Sequence, residues 1–365
     1  MAGHGVRGLR FAHADSSASA HAGPVEPRLD RVRREAAEDA LLAPGATRAA
    51  GAGERAVAEE PDPWRTCFER DRDRILHATA FRRLAGKTQV FVHPDDHQRT
   101  RLTHALEVAQ VATSIARACR LNVALTEAIA LGHDCGHGPG GHASEEALSP
   151  FVEGGFDHAP WGADVSLAGL NLCSETLDGI RNHSWSRPAP RTPEGEVVSW
   201  ADRIAYVCHD FEDAVGSGIV TPAVLPEVVR ERCGERRGQQ LGTFIDAMVT
   251  TILATGRVGM DEGTADALAA FRACNYERIY LRPRSVAQGR AVVEVLRALV
   301  EHYAERPHRI PDLDAAGLDD APDPGSPEAR WAAVAYVAGM TDRFAFGQAV
   351  AVLGWDPARL PLGAR

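Results

Sequence analysis

The chain has 365 residues, of which 44% are hydrophobic and 25% charged, and its formal net charge at pH 7 is −10. These values are ordinary for a globular protein, and the length allows a core that needs no disulfides or structural metal. The sequence contains no apolar run long enough to cross a membrane, and the negative charge disfavours a broad nucleic-acid-binding surface.

The seven cysteines are widely spaced and form no C-x-x-C pair. This pattern argues against both a disulfide framework and a zinc ribbon. The N-terminal residues contain no continuous apolar segment of the kind found in secretory signals. We therefore expect reduced thiols and a cytoplasmic location.

The first 60 residues are rich in Ala, Gly, Arg and Glu, and they are predicted to be poorly structured apart from a short helix at 31–42. Apolar residues then recur at steps of three and four along 67–84 and 101–121, which predicts two amphipathic helices. Asn122 is a good N-cap for a third helix, which leads up to His133 and Asp134.

The run that follows Asp134 cannot continue that helix, because it contains several glycines and a proline. A helical turn is predicted at 144–148 and a loop at 154–161. Later helices are predicted at 196–215, 224–232, 241–255, 264–273, 285–304 and 327–346. We find no internal repeat and no sustained β-alternation, so the predicted fold class is all-α.

Ten of the fifteen histidines lie between 77 and 209, and this concentration points to a site. His104 lies on one predicted helix, His133 and Asp134 end the next, and Asp202 lies on a later one. Two imidazoles and two carboxylates suit a divalent transition-metal ion. The alternative is a polar core cluster that binds no metal.

The glycine loop and the turn after it carry His137, His142 and Glu145. His142 and Glu145 are three residues apart, so the carboxylate can orient the imidazole at the start of a helical turn. An oriented histidine beside a metal site is a candidate general acid or base. The alternative is that these side chains cap the loop and face solvent.

Asp202, Tyr206 and Asp210 follow one another at steps of four, which places them on one face of a helix. Such a face can hold a sugar beside the metal, or it can simply be solvated. Arg99 and Arg101 lie just before His104 and have the chemistry to reach the same anion, or else they form surface ion pairs. Lys87 and Gln89 complete the candidate residues.

Blocks of sequence from about residue 64 to 346 resemble, in order, the HD superfamily and more narrowly the dGTPase family of deoxynucleoside triphosphate (dNTP) triphosphohydrolases. The blocks that carry the resemblance are Asp71–His77, Phe81–Leu84, Lys87–Phe91, Arg99–His104, Leu106–Gln110, Ala128–Asp134, Gly141–His142 with Glu145, Ala201–Tyr206 and Tyr336–Arg343.

The resemblance implies an HD-domain helical bundle with a C-terminal helical extension. It divides the chain into a poorly structured segment (1–60), an HD catalytic core (61–220) and a C-terminal helical region that packs on the core (221–365). It implies that a dNTP is cleaved at the α-phosphate to deoxynucleoside and tripolyphosphate, with one divalent metal ion per subunit (Mg, Mn or another transition metal).

By motif matching, each candidate residue takes a role. The metal ligands are His104, His133, Asp134 and Asp202. The catalytic residues are His142 and Glu145, with His137 assisting at the phosphates. The substrate-binding residues are Lys87, Gln89, Arg101, His158, Tyr206 and Asp210.

Family members usually carry Phe-Glu-His-Asn after the catalytic loop, whereas this chain reads Phe156-Asp-His158-Ala. The resemblance also implies a homo-oligomer (tetramer or hexamer) and a nucleotide or single-stranded DNA effector, and no membrane partner is expected from the apolar pattern of the sequence. Two alternatives stay open at this stage. One is another HD phosphohydrolase, a nucleotidase or phosphodiesterase, and the other is a nucleotide-sensing assembly protein with weak catalysis.

Overall fold

The computed structural model describes residues 4–6, 8–11, 29–92, 98–311, 313 and 316–360. Their regular elements are α-helices, short 3-10 and π-helical turns, and one hairpin in which His4–Val6 (β1) pairs antiparallel with Leu9–Phe11 (β2). The all-α prediction is confirmed, although the hairpin was not predicted. Residues 1–3, 7 and 12–28 of the N-terminal segment lie outside the described residues, and the division of the chain into three domains stays a prediction.

The helices that precede the long helix α9 are, in chain order, α1 (Arg31–Leu41), α2 (Cys67–His77), α3 (Thr79–Arg83), α4 (Arg101–Ala118), α5 (Val123–Gly132), α6 (His142–Leu148), α7 (His158–Trp161) and α8 (Ser174–Asn182). The remaining helices are α9 (Pro193–Gly216), α10 (Glu227–Cys233), α11 (Arg237–Thr255), α12 (Glu262–Asn275), α13 (Pro283–Ala304), α14 (Pro327–Ala338) and α15 (Asp342–Leu353).

Two predicted helices are broken in the structure. The one predicted at 67–84 turns at Ala78, whose backbone is extended, and the turn lets Phe81 enter the core while Arg82 stays exposed. The one predicted at 327–346 stops before Gly339, and Thr341 starts a new helix by accepting a hydrogen bond from the N–H of Phe344. In each case a local cap or tertiary burial outweighs the periodic pattern.

The predicted loop at 154–161 contains the short helix α7, which Asp157 caps by accepting from the N–H of Ala159. Helix α8 was not predicted at all, and Gly179 within it lowers its helix propensity. The structure needs this glycine, because a Cβ there would lie 2.4 Å from Ile129 Cδ1 on α5. The close approach of α8 to α5 decides which residues meet at the ends of these two helices.

The buried apolar residues form two cores. The first is built on α2, α4, α5, α9, α11 and α12. The second unites α6 with α13, α14 and α15. Residues 133–141 run from the end of α5 in the first core to the start of α6 in the second, so the side chains of this loop lie where the cores meet. No helix of the described residues has both the length and the apolar character that a membrane crossing requires.

Candidate active site

Four predicted ligands converge from three helices, and we call them the four-residue cluster: His104, His133, Asp134 and Asp202. His104 lies in the first turn of α4, His133 and Asp134 directly follow α5, and Asp202 lies within α9. His104 Nε2 is 3.0 Å from Asp202 Oδ1 and 3.9 Å from Asp134 Oδ2. His133 Nε2 is 3.5 Å from Asp134 Oδ1 and 3.8 Å from Asp202 Oδ1.

The cluster fits a divalent ion. The Nδ1–H of His133 donates to the carbonyl oxygen of Ala130 at 2.7 Å, which leaves Nε2 with its lone pair. This Nε2 is fully buried and has no hydrogen-bond partner. An unsatisfied buried nitrogen is costly, and a metal ion beside it removes that cost. His104, His133 and Asp202 each offer a ligand atom within 4.8 Å of the others.

The two carboxylates of the cluster are ionised at neutral pH. Burial by itself raises the pKa of Asp202, but a hydrogen bond with His104 and the nearby His133 outweigh it, so the pKa is lowered. Burial also acts to raise the pKa of Asp134, and the charges of Arg101 and His133 hold it well below its usual value. Deprotonated carboxylates are the form that a metal ion needs.

Arg101 is 2% exposed, and its Nη1 donates to Asp134 Oδ2 at 2.6 Å. Its Nε and Nη2 are buried without a hydrogen-bond partner. A buried guanidinium with unused donors beside a metal site suits an anionic group such as a phosphate. Arg99, in contrast, forms ion pairs with Glu107, Glu212 and Asp213, which is the alternative that the sequence left open for it.

A second group of side chains, the histidine–glutamate group, consists of His137, His142, Glu145 and His158. Glu145 Oε1 lies 2.5 Å from His158 Nδ1, and its Oε2 lies 3.4 Å from His142 Nδ1. His137 stacks on His158 with ring centroids 3.7 Å apart, and its Nε2 is 3.2 Å from Asp134 Oδ1. Glu145 therefore orients two imidazoles, and His158 is the closer of the two.

The protonation of this group follows from its contacts. Burial acts to raise the pKa of Glu145, but the hydrogen bonds with His142 and His158 outweigh it and lower the pKa. Burial acts to lower the pKa of His158, and its contact with Glu145 raises it overall. The Glu145 carboxylate is therefore charged, and it favours a positive charge on or beside the His158 ring.

The polar face of α9 continues beyond Asp202. Tyr206 Oη accepts a hydrogen bond from Arg272 Nε at 3.0 Å, and Tyr280 Oη donates to Asp210 Oδ2 at 2.5 Å. Burial raises the pKa of Asp210 to about 7. The predicted Gln89 has a buried Oε1 without a hydrogen-bond partner, so it retains an unused acceptor.

Three residues close to these groups were missed by the sequence argument: Arg272, Tyr280 and His183. Arg272 lies on α12, and Tyr280 ends the π-helical turn Tyr276–Tyr280 that follows it. His183 follows α8, and its ring centroid lies 4.9 Å from that of His133. The excess of histidine between 77 and 209 included His183, and no spacing in the sequence singled it out.

Lys87 is placed differently from the other predicted substrate-binding residues. It is 3% exposed, and its Nζ donates to the carbonyl oxygens of His137 and, at 3.0 Å, of Ala338. Burial lowers its pKa to about 8. In this geometry Lys87 joins the glycine loop to α14.

Asp342 makes a similar connection at the start of α15. Its Oδ1 accepts from the N–H of Gly140 at 2.9 Å, and its Oδ2 accepts from the N–H of Thr88 at 3.0 Å and from the Thr88 hydroxyl. Gly140 and Gly141 have φ values of 73° and 63°, a conformation that favours glycine. Asp342 thus helps to fix the loop between the two cores.

Replacing Asp342 with alanine is expected to lower the free energy of unfolding by about 2–5 kcal/mol, because two buried N–H groups lose their acceptor. Urea unfolding followed by circular dichroism measures this change. The exposed Asp246 on α11 supplies the control, since Asp246→Ala should change the free energy by less than about 0.5 kcal/mol. Equal unfolding curves for the two variants would contradict the role of Asp342.

The chain is similar to two known protein domains and to proteins from several bacteria. Residues 101–207 match the HD domain, and residues 258–349 match the phosphohydrolase-associated domain. A deoxyguanosinetriphosphate triphosphohydrolase-like protein of Caldanaerobacter subterraneus subsp. tengcongensis is 40% identical over 319 residues, which cover 85% of this chain and 92% of that protein. A protein of the same description from Syntrophus aciditrophicus is 36% identical over 374 residues, covering 85% and 93%. The HD match contains all of the four-residue cluster.

Proposed function

Because this chain belongs to the family of HD-domain phosphohydrolases described as deoxyguanosinetriphosphate triphosphohydrolase-like, we propose that it hydrolyses a dNTP at the α-phosphate. The products are a deoxynucleoside and tripolyphosphate. The observation that carries the proposal is the four-residue cluster with the unused donors of Arg101 beside it. That combination can hold a metal ion and a phosphate in one place.

The four-residue cluster would hold the divalent ion, and Asp134 would do so while also pairing with Arg101. A divalent ion, when bound, supplies Lewis-acid polarisation of a phosphoryl oxygen. Arg101 directs its free Nε–H and Nη2–H to the phosphate and stabilises the negative charge that develops during hydrolysis. His137, whose Nδ1 is buried without a partner, assists at the phosphates.

His142 and Glu145 manage the proton. Glu145 is the acceptor for His142 Nδ1, so Nε2 is the nitrogen that exchanges a proton with the reacting groups. The His142 side chain is 74% exposed, which leaves it free to approach a bound substrate. His158 contacts the same carboxylate, and in this proposal it lies beside the bound substrate.

The sugar lies along the polar face of α9 in this proposal. Asp210 accepts a hydrogen bond from the 3′-hydroxyl, Tyr206 packs on the ring, and Gln89 contributes its unused amide oxygen. Tyr280 and Arg272 already contact Asp210 and Tyr206 and therefore fix the shape of this end of the site. Homo-oligomer formation (tetramer or hexamer) and a nucleotide or single-stranded DNA effector stay predictions from the resemblance.

A substrate panel tests the proposal. The four dNTPs and four rNTPs are incubated with the purified protein in Mg²⁺, Mn²⁺ or Co²⁺, and the products are separated by ion-exchange chromatography. We expect deoxynucleoside and tripolyphosphate from at least one dNTP. Release of orthophosphate or pyrophosphate instead would indicate a nucleotidase or phosphodiesterase. Tight dNTP binding without turnover in any of these metals would favour a nucleotide-sensing protein.

A further inference from the structure

Two cysteine side chains lie side by side where α2 meets α8, and the proposed reaction uses neither of them. Cys67 is the first residue of α2, and Cys173 directly precedes α8. The thiol of Cys173 is hydrogen-bonded to that of Cys67, whose Sγ in turn donates to the carbonyl oxygen of Ala49 at 3.7 Å. The two sulfur atoms are therefore in direct contact, while both cysteines are free thiols in this structure.

Gly53 leaves room for the two thiols. A Cβ atom at Gly53 would lie 2.8 Å from Cys67 Sγ and 3.3 Å from Cys173 Sγ, so both sulfur atoms pack against the same glycine. The φ of Gly53 is 83°, a conformation that favours glycine. The N–H of Ser174 donates to the carbonyl oxygen of Glu54 at 2.9 Å. The segment around Gly53 therefore lies against the start of α8 and encloses the pair of thiols.

A buried ion pair fixes the backbone on both sides of the two cysteines. Asp71 on α2 accepts from the N–H of Cys173 at 2.8 Å and from the Thr176 hydroxyl at 2.7 Å. Arg55 donates to Asp71 Oδ1 at 2.6 Å and to the carbonyl oxygen of Cys67 at 3.0 Å. Because these bonds join the start of α8 to α2, the contact between the sulfur atoms is set by the fold.

The two thiols differ in how easily an oxidant reaches them. Cys67 is partly exposed, whereas Cys173 is fully buried. The hydrogen bond with Cys67, together with burial, raises the pKa of Cys173. The N-terminus of a helix, where Cys67 lies, is a position that stabilises a thiolate. Cys67 is therefore the thiol that reacts first, and Cys173 is the thiol that reacts with its product.

We propose that Cys67 and Cys173 form a modification site at which hydrogen peroxide produces a disulfide between α2 and α8. The Cys67 sulfur attacks a peroxide oxygen, the O–O bond breaks, and a sulfenic acid forms with release of one water. The Cys173 sulfur then attacks the Cys67 sulfur, the S–O bond breaks, and hydroxide leaves with the Cys173 thiol proton as a second water. The two thiols lose two electrons, which reduce the peroxide. This inference goes beyond the proposed function and does not depend on the substrate.

The disulfide would connect the two helices that pack on the end of α5. A Cβ atom at Gly132, the last residue of α5, would lie 2.5 Å from Ile180 Cδ1 on α8 and 3.3 Å from Ile75 Cδ1 on α2. Gly132 directly precedes His133 of the four-residue cluster. A link that closes a loop of about 100 residues also restricts the unfolded chain. The oxidised protein should therefore unfold at a higher temperature than the reduced protein, with the end of α5 held more firmly.

Mapping of cysteines after oxidation tests the proposal without any assay of turnover. The full chain is reduced, freed of reductant, treated with hydrogen peroxide and alkylated, and its peptides are fragmented in a mass spectrometer. We expect wild type to lose the free thiols of Cys67 and Cys173 and to yield peptides linked through them. Cys67→Ser should yield no such link. The matched control is Cys274→Ser, at another partly exposed cysteine, which should form the link as wild type does.

Three results would overturn the proposal. They are alkylation of both Cys67 and Cys173 after peroxide treatment, a disulfide between another pair such as the buried Cys208 and Cys233, and oxidation of Cys67 to a sulfinic acid without a link. Thermal unfolding of oxidised and reduced wild type needs no variant. We expect the midpoint to rise by several degrees on oxidation, and an unchanged or lower midpoint would refute the connection of α2 to α8.

Discussion

Replacing Asp134 with alanine is expected to lower turnover of the proposed substrate to less than roughly a thousandth of the wild-type rate and to remove bound metal at the same time. Asp134 Oδ1 is 3.5 Å from His133 Nε2, and Oδ2 is 3.9 Å from His104 Nε2, so the carboxylate contributes directly to the proposed metal site. Turnover at saturating Mn²⁺ and metal content by mass spectrometry are measured on the same preparation.

The control for this variant must separate chemistry from folding. Alanine leaves the buried Arg101 without its carboxylate, and breaking a buried ion pair costs about 3–5 kcal/mol. Asp134→Asn keeps the side-chain volume and an oxygen acceptor for Arg101 Nη1, so we expect it to fold and still fail to bind metal. Circular dichroism and urea unfolding report the fold. A folded variant that retains full metal content or full turnover would show that the ion lies elsewhere.

The position of the four-residue cluster could be predicted because its signals are local. Thr100 caps α4 and Asn122 caps α5, each by accepting a hydrogen bond from an N–H three residues on. These caps fix where each helix starts and therefore which residues lie at its ends. The glycine-rich loop after His133 then ends α5 at the point where both His133 and Asp134 can turn towards one site.

The residues that were missed depend on contacts between distant parts of the chain. His183 lies beside His133 at the end of α8, which packs closely on α5 at Gly179. A glycine within a helix lowers its helix propensity, so local sequence gives little sign of α8. Tyr280 reaches Asp210 through a π-helical turn after α12, which periodic patterns do not reveal. The spacing of residues in the sequence does not reveal that α8 packs against α5 or that Tyr280 contacts Asp210.

Lys87 shows a different limit to predicting the role of a residue from the sequence. A single lysine within a motif is a natural candidate for a ligand contact, and Lys87 was predicted to bind substrate. In the structure its Nζ is within hydrogen-bond distance of two carbonyl oxygens, one of them on α14, about 250 residues away in sequence. Whether a cation contacts a ligand or the backbone depends on which element covers it, and the local sequence does not specify that element.

Replacing His142 with alanine is expected to lower kcat by about 10²–10⁴-fold, the usual contribution of a general acid or base, while the metal content stays at the wild-type level. His142 contacts Glu145, and its ring meets that of His137 edge-on, but it is not part of the four-residue cluster. Its side chain is 74% exposed, so its removal disturbs little packing and the fold should be retained.

The matched control is His77→Ala, at the exposed histidine that ends α2, which should leave kcat unchanged. Steady-state kinetics and metal analysis on both variants then distinguish the two roles. Loss of turnover with metal retained assigns His142 to proton transfer, because the Asp134 variants lose both together. Full turnover in His142→Ala would remove it from the mechanism, and loss of metal would make it a ligand. In either case His158, the closer partner of Glu145, becomes the residue that handles the proton.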